Sequence, residues 1–113
     1  MHYKMEEIEF EDVKVGDYIN ATKTSMKNGW MTAIFKAKSI DTDYFHRETI
    51  HSDNFLLFKG KKFLKLVKNF HGGLLKEHVV KIKRMTEEEF YNAVGKYIII
   101  GSLLNEEDRT GRH

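Results

Sequence analysis

The sequence has no cysteine and no proline. Without cysteine there is neither a disulfide framework nor a thiolate metal site, which suits a reducing compartment and makes the cytoplasm the expected location. Without proline, every turn must be built from Gly, Asn, Asp or Ser. No apolar run approaches the ~20 residues of a membrane helix. The opening Met1-His-Tyr-Lys-Met-Glu-Glu7 lacks the apolar core of a secretory signal. Catalytic signatures are missing too: no Gly-x-Ser-x-Gly, no P-loop, no dinucleotide fingerprint and no His-Glu-x-x-His. The expectation is therefore a binding protein without a cofactor.

A chain of 113 residues has room for one domain, expected over 1–104, with the polar stretch 105–113 read as a disordered tail. Hydrophobic residues make up 41% and include eight Phe, five Tyr and one Trp, enough apolar surface for a folded core. The net charge of +2 conceals a segregation. Residues 1–58 carry 7 Lys/Arg against 10 Asp/Glu, residues 59–84 carry 9 against 1, and residues 85–113 carry 3 against 6. Such a chain can present one basic surface while staying close to neutral overall.

Short period-two segments separated by Gly, Asn and Asp predict a mainly β domain, a small barrel or sandwich. Val13 to Thr24 alternates around a turn at Gly16-Asp17. Asn28-Gly29 favours a type I′ hairpin, because both residues tolerate positive φ. Trp30 to Ile40 follows, with Met31, Ala33, Phe35 and Ala37 on the face placed inward. Asp41 to Asp43 reads as a turn. Tyr44-Phe45 and Thr49 to His51 pair as short strands. Phe55 to Phe58 is an apolar cluster. Strands are expected over 62–70 and 74–84, joined through His71-Gly72-Gly73. One C-terminal helix is signalled at Thr86-Glu-Glu-Glu89, a capping box in which the Thr hydroxyl and the Glu carboxylate satisfy each other's backbone amides. Phe90, Val94 and Tyr97 mark its apolar face, and Gly95 leaves open where it stops. The expected core is Val15, Ile19, Ala33, Phe35, Phe63, Val67, Val80, Ile82, Phe90 and Val94.

The turn Val15-Gly16-Asp17 followed by Ile19 resembles the opening of SH3-like β-barrels of the KOW and Tudor kind, in which a hydrophobic-x-x-Gly-Asp-x-hydrophobic turn leads into the first long strand. The resemblance covers roughly a tenth of the chain and implies a small β-barrel that binds nucleic acid or protein. The cysteine-free, proline-free, Lys/Glu-rich style is also similar to that of small bacteriophage accessory proteins.

The basic segment Lys59, Lys61, Lys62, Lys65, Lys68, Lys76, Lys81, Lys83 and Arg84 is the main functional feature. If the strands 62–70 and 77–84 were neighbours, Lys65 or Lys68 would lie beside Lys81 and Lys83. Like charges across a sheet are destabilising, so the pairing would point to a polyanion as the missing partner. Trp30, just after a tight turn, is the aromatic expected at a rim, where it could stack on a base. The nucleic-acid-binding set read from the sequence is thus Lys65, Lys68, Lys81, Lys83, Arg84 and Trp30. The blander account makes the lysines a solvated surface that protects a sheet edge, and makes Tyr44, Phe45, Phe58 and Phe70 core residues. Asp43, His46, His51 and Asp53 are the one set that could converge on a metal, although surface histidines are the simpler account and no metal is expected. His71-Gly72-Gly73 could form an anion nest, with a plain turn as the simpler reading. The alternative function is a protein-interaction module, a phage-type inhibitor or modulator of a host factor or an assembly subunit, using acidic faces or an exposed apolar edge at Phe55 to Phe58.

Overall fold

Alternating side chains fix which face of each strand is apolar, and here the alternation runs between two cores. The computed structural model describes residues 5–25, 29–42, 46–68, 73–95 and 97. The described residues form β1 (Glu6–Ile8), β2 (Tyr18–Ser25), β3 (Gly29–Lys36), β4 (Ser39–Thr42), β5 (Glu48–His51), β6 (Asn54–Lys59), β7 (Lys62–Lys68), β8 (Leu74–Leu75) and β9 (Val79–Met85). Short 3-10 turns lie at Phe10–Asp12 and Lys76–His78. A helix, α1, covers 87–95 and includes 97. The class is mainly β with one C-terminal helix. All pairings are antiparallel, in a six-stranded sheet A of order β1-β9-β2-β3-β6-β7 and a three-stranded sheet B of order β4-β5-β8.

Sheet B lies over one face of sheet A. Its Ile50 and Leu74 pack with Ile19, Ala21, Ala33, Phe35, Phe55 and Ile82, and Phe10 and Val13 complete this core. The Phe35 and Phe55 rings tilt against each other at 4.6 Å. The opposite face of sheet A receives α1: Phe90 and Val94 pack on Ile34, Leu56, Phe58 and Met85. This double burial explains the continuous apolar run in β6, whose successive residues feed opposite cores. Phe55, Leu56 and Phe58 are all buried, so the exposed apolar edge expected there does not exist.

Several expectations are corrected. Asp41 and Thr42 belong to β4, opposite Thr49 and Glu48, and not to a turn, while Asp43 lies outside the described residues. The stretch 74–84 is broken by the 3-10 turn between β8 and β9. The β2–β3 hairpin closes with Ser25 opposite Gly29, which leaves residues 26–28 between them. Gly29 has φ +70°, and Asn28, the other residue of the expected type I′ turn, lies outside the described residues. Val15 is 66% exposed at the tip of its turn. Val80 is 49% exposed for a different reason. Lys23 pairs with Val79 and Thr22 with Lys81, so Val80 is the extra residue of a bulge and is turned outward. Phe63 and Val67 are half-buried rather than central. Residues 1–4, Asn28, Tyr44, Phe45, Phe70, His71, Gly72 and everything from 98 onward, including the expected tail, lie outside the described residues.

The capping box at Thr86 forms in both directions. The Glu89 amide donates to Thr86 Oγ1 at 3.1 Å, and the Thr86 amide to Glu89 Oε1 at 2.9 Å. The helix runs past Gly95 and brings Tyr97 onto Phe63 in a stacked pair at 4.6 Å. Thr86→Ala is expected to lower stability by about 1 kcal/mol, since an unreplaced N-cap leaves an amide unsatisfied. A urea melt reads this directly.

Two glycines make a sharper comparison. Gly73 has φ +62°, and a Cβ there would come within 2.6 Å of Thr49 Cγ2 and 2.8 Å of the Ile50 carbonyl. Gly95 is helical, with nothing within 4 Å of an added Cβ. Gly73→Ala should cost about 3 kcal/mol from the left-handed backbone plus overpacking. Gly95→Ala should stabilise by about 0.5–1 kcal/mol. Thermal melts of the two variants should move in opposite directions.

Candidate nucleic-acid interface

The Gly-Asp turn sets the frame of the surface. Gly16 takes φ +97°, and the Asp17 carboxylate accepts the Lys14 amide at 2.9 Å. It therefore bonds backbone upstream of itself, not downstream as turn chemistry alone suggests. The same carboxylate oxygen accepts Arg84 Nε at 3.1 Å. Arg84 also donates to the Asp12 carbonyl at 2.8 Å and lies 3.4 Å from Glu6. Arg84 is thus held by the fold.

The basic segment does not form one stripe. β2, β3 and β6 separate β9 from β7, so the neighbouring placement expected for 62–70 and 77–84 is wrong. Lys65 and Lys68 also face opposite ways: Lys65 pairs with Leu57 on the side of sheet B, and Lys68 with Asn54 on the side of α1. The segment divides electrostatically as well. Lys76 hydrogen-bonds Glu11 and lies 3.3 Å from Glu48, which raises its own pKa and holds the Glu11 carboxyl below its usual value. Lys81 is 3.8 Å from Glu7. By contrast, Lys61, Lys62, Lys65 and Lys68 form no ion pair with any described residue.

The described residues of α1 cover only the apolar part of its face of sheet A. The remainder is polar: Lys83 pairs with Asn20, Lys81 with Thr22, Thr22 with Thr32, and Thr24 with Trp30. Residues directly opposite share a face, so Trp30, Lys81 and Lys83 come together on one surface with Asn20, Thr22, Thr24 and Thr32 between them. Trp30 is 59% exposed, as its place beside the hairpin led us to expect. Lys59 Nζ donates to the Trp30 carbonyl at 2.9 Å. Lys59 follows Phe58, which faces α1, so Lys59 and its partner Lys62 project on the sheet-B side, and Lys59 reaches the backbone of Trp30 from the face opposite the indole. Gly60 has φ +61° while Lys61 does not share the left-handed region, the pattern of a type II′ turn. Lys59 and Lys62 face each other directly across the hairpin. Of the six expected residues, three are therefore assembled, and Lys65, Lys68 and Arg84 lie elsewhere. The polar alternation Asn20-x-Thr22-x-Thr24 was the available signal for the missing part of the surface.

No family model matches the chain, and no curated protein or solved structure resembles it. What the surface can do must be read from its own chemistry.

The histidine set does not assemble. His51 Nε2 lies 3.0 Å from Asp41, while Asp53 pairs with Lys38 at 2.8 Å, and Asp43 is outside the described residues. No group of three or more His, Cys, Asp or Glu among the described residues is placed to hold a metal. His46 has φ +61° and is exposed. Phe58 is buried and cannot stack on a ligand. No helix of the described residues is long and apolar enough to cross a membrane.

A groove of about 500 Å³ lies at the opposite end of sheet A, between the Gly-Asp turn and the first turn of α1. Val15, Tyr18, Leu56, Phe90 and Tyr91 line it. Burial first, and the nearby Glu87 charge second, push the Tyr18 hydroxyl up from its ordinary pKa.

The division of cations gives a stability test. Asp17→Ala and Arg84→Ala should each cost about 2 kcal/mol, the worth of charge-assisted hydrogen bonds in a half-buried setting. Lys65→Ala and Lys68→Ala should stay within about 0.5 kcal/mol of the parent. Denaturant midpoints of the four variants check the ranking.

Proposed function

We propose that the protein is a small non-enzymatic binding module that contacts nucleic acid through the part of sheet A that the described residues of α1 leave uncovered. One observation carries the reading: a tryptophan 59% exposed on the same sheet face as Lys81 and Lys83. Aromatic and cation serve different halves of a nucleotide. The indole offers a π-face to a base, and the lysines offer point charges to phosphates. The threonine hydroxyls and the Asn20 amide between them suit phosphate and sugar oxygens. The Lys81–Glu7 pair is long and exposed, so exchanging Glu7 for a phosphate costs little. The Val15 to Ile19 turn that resembles KOW and Tudor barrels belongs with this reading.

A protein-interaction module is the second reading, and the groove beside α1 favours it. Val15 and Tyr91 at its margin are 66% and 52% exposed.

The deciding measurement is a titration of labelled DNA and RNA at ~50 mM salt, where screening is mild. Contacts from Lys81 and Lys83, with Lys61 at the hairpin tip, should give a log–log salt slope of about −2 to −3. Replacing Lys81 and Lys83 by Ala should flatten it by between one and two units, and Lys68→Ala should leave it unchanged. Absence of binding to either nucleic acid at this salt transfers the conclusion to the groove and a protein partner.

A further inference from the structure

We infer that the ligand of this surface is single-stranded, read without regard to sequence, and laid across the strands of sheet A with a base on Trp30. The inference rests on the nucleic-acid reading above and narrows it.

The path follows from the strand order. Trp30 on β3 lies two strands from Lys81 and Lys83 on β9, on the same face of sheet A. Neighbouring strands are ~4.8 Å apart, so about 10 Å separates the cations from the indole, room for roughly two nucleotides. Asn20, Thr22 and Thr32 line the way between them.

Two features select a single strand. First, an indole stacks on the face of a base, and within a duplex those faces are covered by adjacent base pairs. Trp30 therefore adds to binding only where a base is unpaired. Second, sequence reading in a duplex groove relies on bidentate arginine, and both described arginines are engaged. Arg84 is held by Asp17 and Glu6, and Arg47 lies 3.2 Å from Glu77. The cations left for the ligand are lysines, which supply charge without base geometry.

Trp30 is the only tryptophan in the chain, so its fluorescence reports on this site alone. The 113-residue chain is titrated with oligo-dT and oligo-U of 4, 8 and 12 nucleotides, with a mixed-sequence single strand and with a mixed-sequence duplex, following both intrinsic fluorescence and the anisotropy of a label on the nucleic acid. Expected are quenching on single strands, little quenching on duplex, and similar affinities for oligo-dT and a mixed-sequence strand. Trp30→Ala should weaken single-strand binding by about 5- to 100-fold, the value of one stacked base. It should change duplex binding less than twofold, and Trp30→Phe should keep most of the affinity. Single-strand binding without quenching overturns the inference. So does an equal loss on both ligands in Trp30→Ala, or a preference for duplex. All three leave the broader reading standing. No binding to any of these ligands overturns both.

Discussion

Asp17 sits where separate stretches of chain meet, and its carboxylate has partners in two of them. It takes the amide of Lys14 within its own turn and the guanidinium of Arg84 from β9. Its backbone adds a third connection, because the Asp17 carbonyl accepts the Ala37 amide at 2.8 Å while the Gly16 amide donates to the Ala37 carbonyl at 2.8 Å. The start of β2, the end of β3 and the register of β9 are thereby set against one another. Through Arg84 the same point reaches Glu6 and so anchors β1 at the sheet edge. Arg84 in that half-buried position needs its anion, since a desolvated cation without one is costly. The turn cannot change without moving the strands that carry Lys81, Lys83 and Trp30.

The cations of the basic segment consequently have two fates. Those close to the amino-terminal carboxylates, Lys76, Lys81 and Arg84, draw Glu11, Glu48, Glu7, Glu6 and Asp17 to them. Those on the β6–β7 hairpin stay at a sheet end away from these acids. Net charge along the sequence does not distinguish the two groups; distance in the sheet does. Lys23, on the face of sheet A turned toward sheet B, adds a further cation whose pKa burial pushes down. It is set apart from the solvated lysines by its desolvation.

Much of the fold was legible because local rules and global packing agree. The capping box at Thr86, the inward face of β3 and the turn at Gly16-Asp17 all depend on residues close in sequence. Strand order was not legible, because it is settled by pairs such as Tyr18 with Met85 and Glu6 with Arg84 that no local pattern announces. The site inherited that error. Placing β7 beside β9 united lysines that stand on opposite sides of three other strands, and it made Arg84 a ligand residue when its partners are Asp17 and Glu6. Val80 failed for a comparable reason, since its alternation is broken by a bulge that only the register reveals. Trp30 succeeded because exposure beside a hairpin end is a local matter.

The position of β9 between β1 and β2 has a bearing on how the molecule comes together. The hairpins β2–β3 and β6–β7 link residues near in sequence and can close quickly. β9 must cross some 60 residues of chain to reach its place, and long-range pairings of this kind slow folding because loop entropy is lost before contacts repay it. Until β9 arrives, β1 has no strand to pair with and β2 offers an open edge. On a growing chain, the first of the described strands to be made is among the last to be paired.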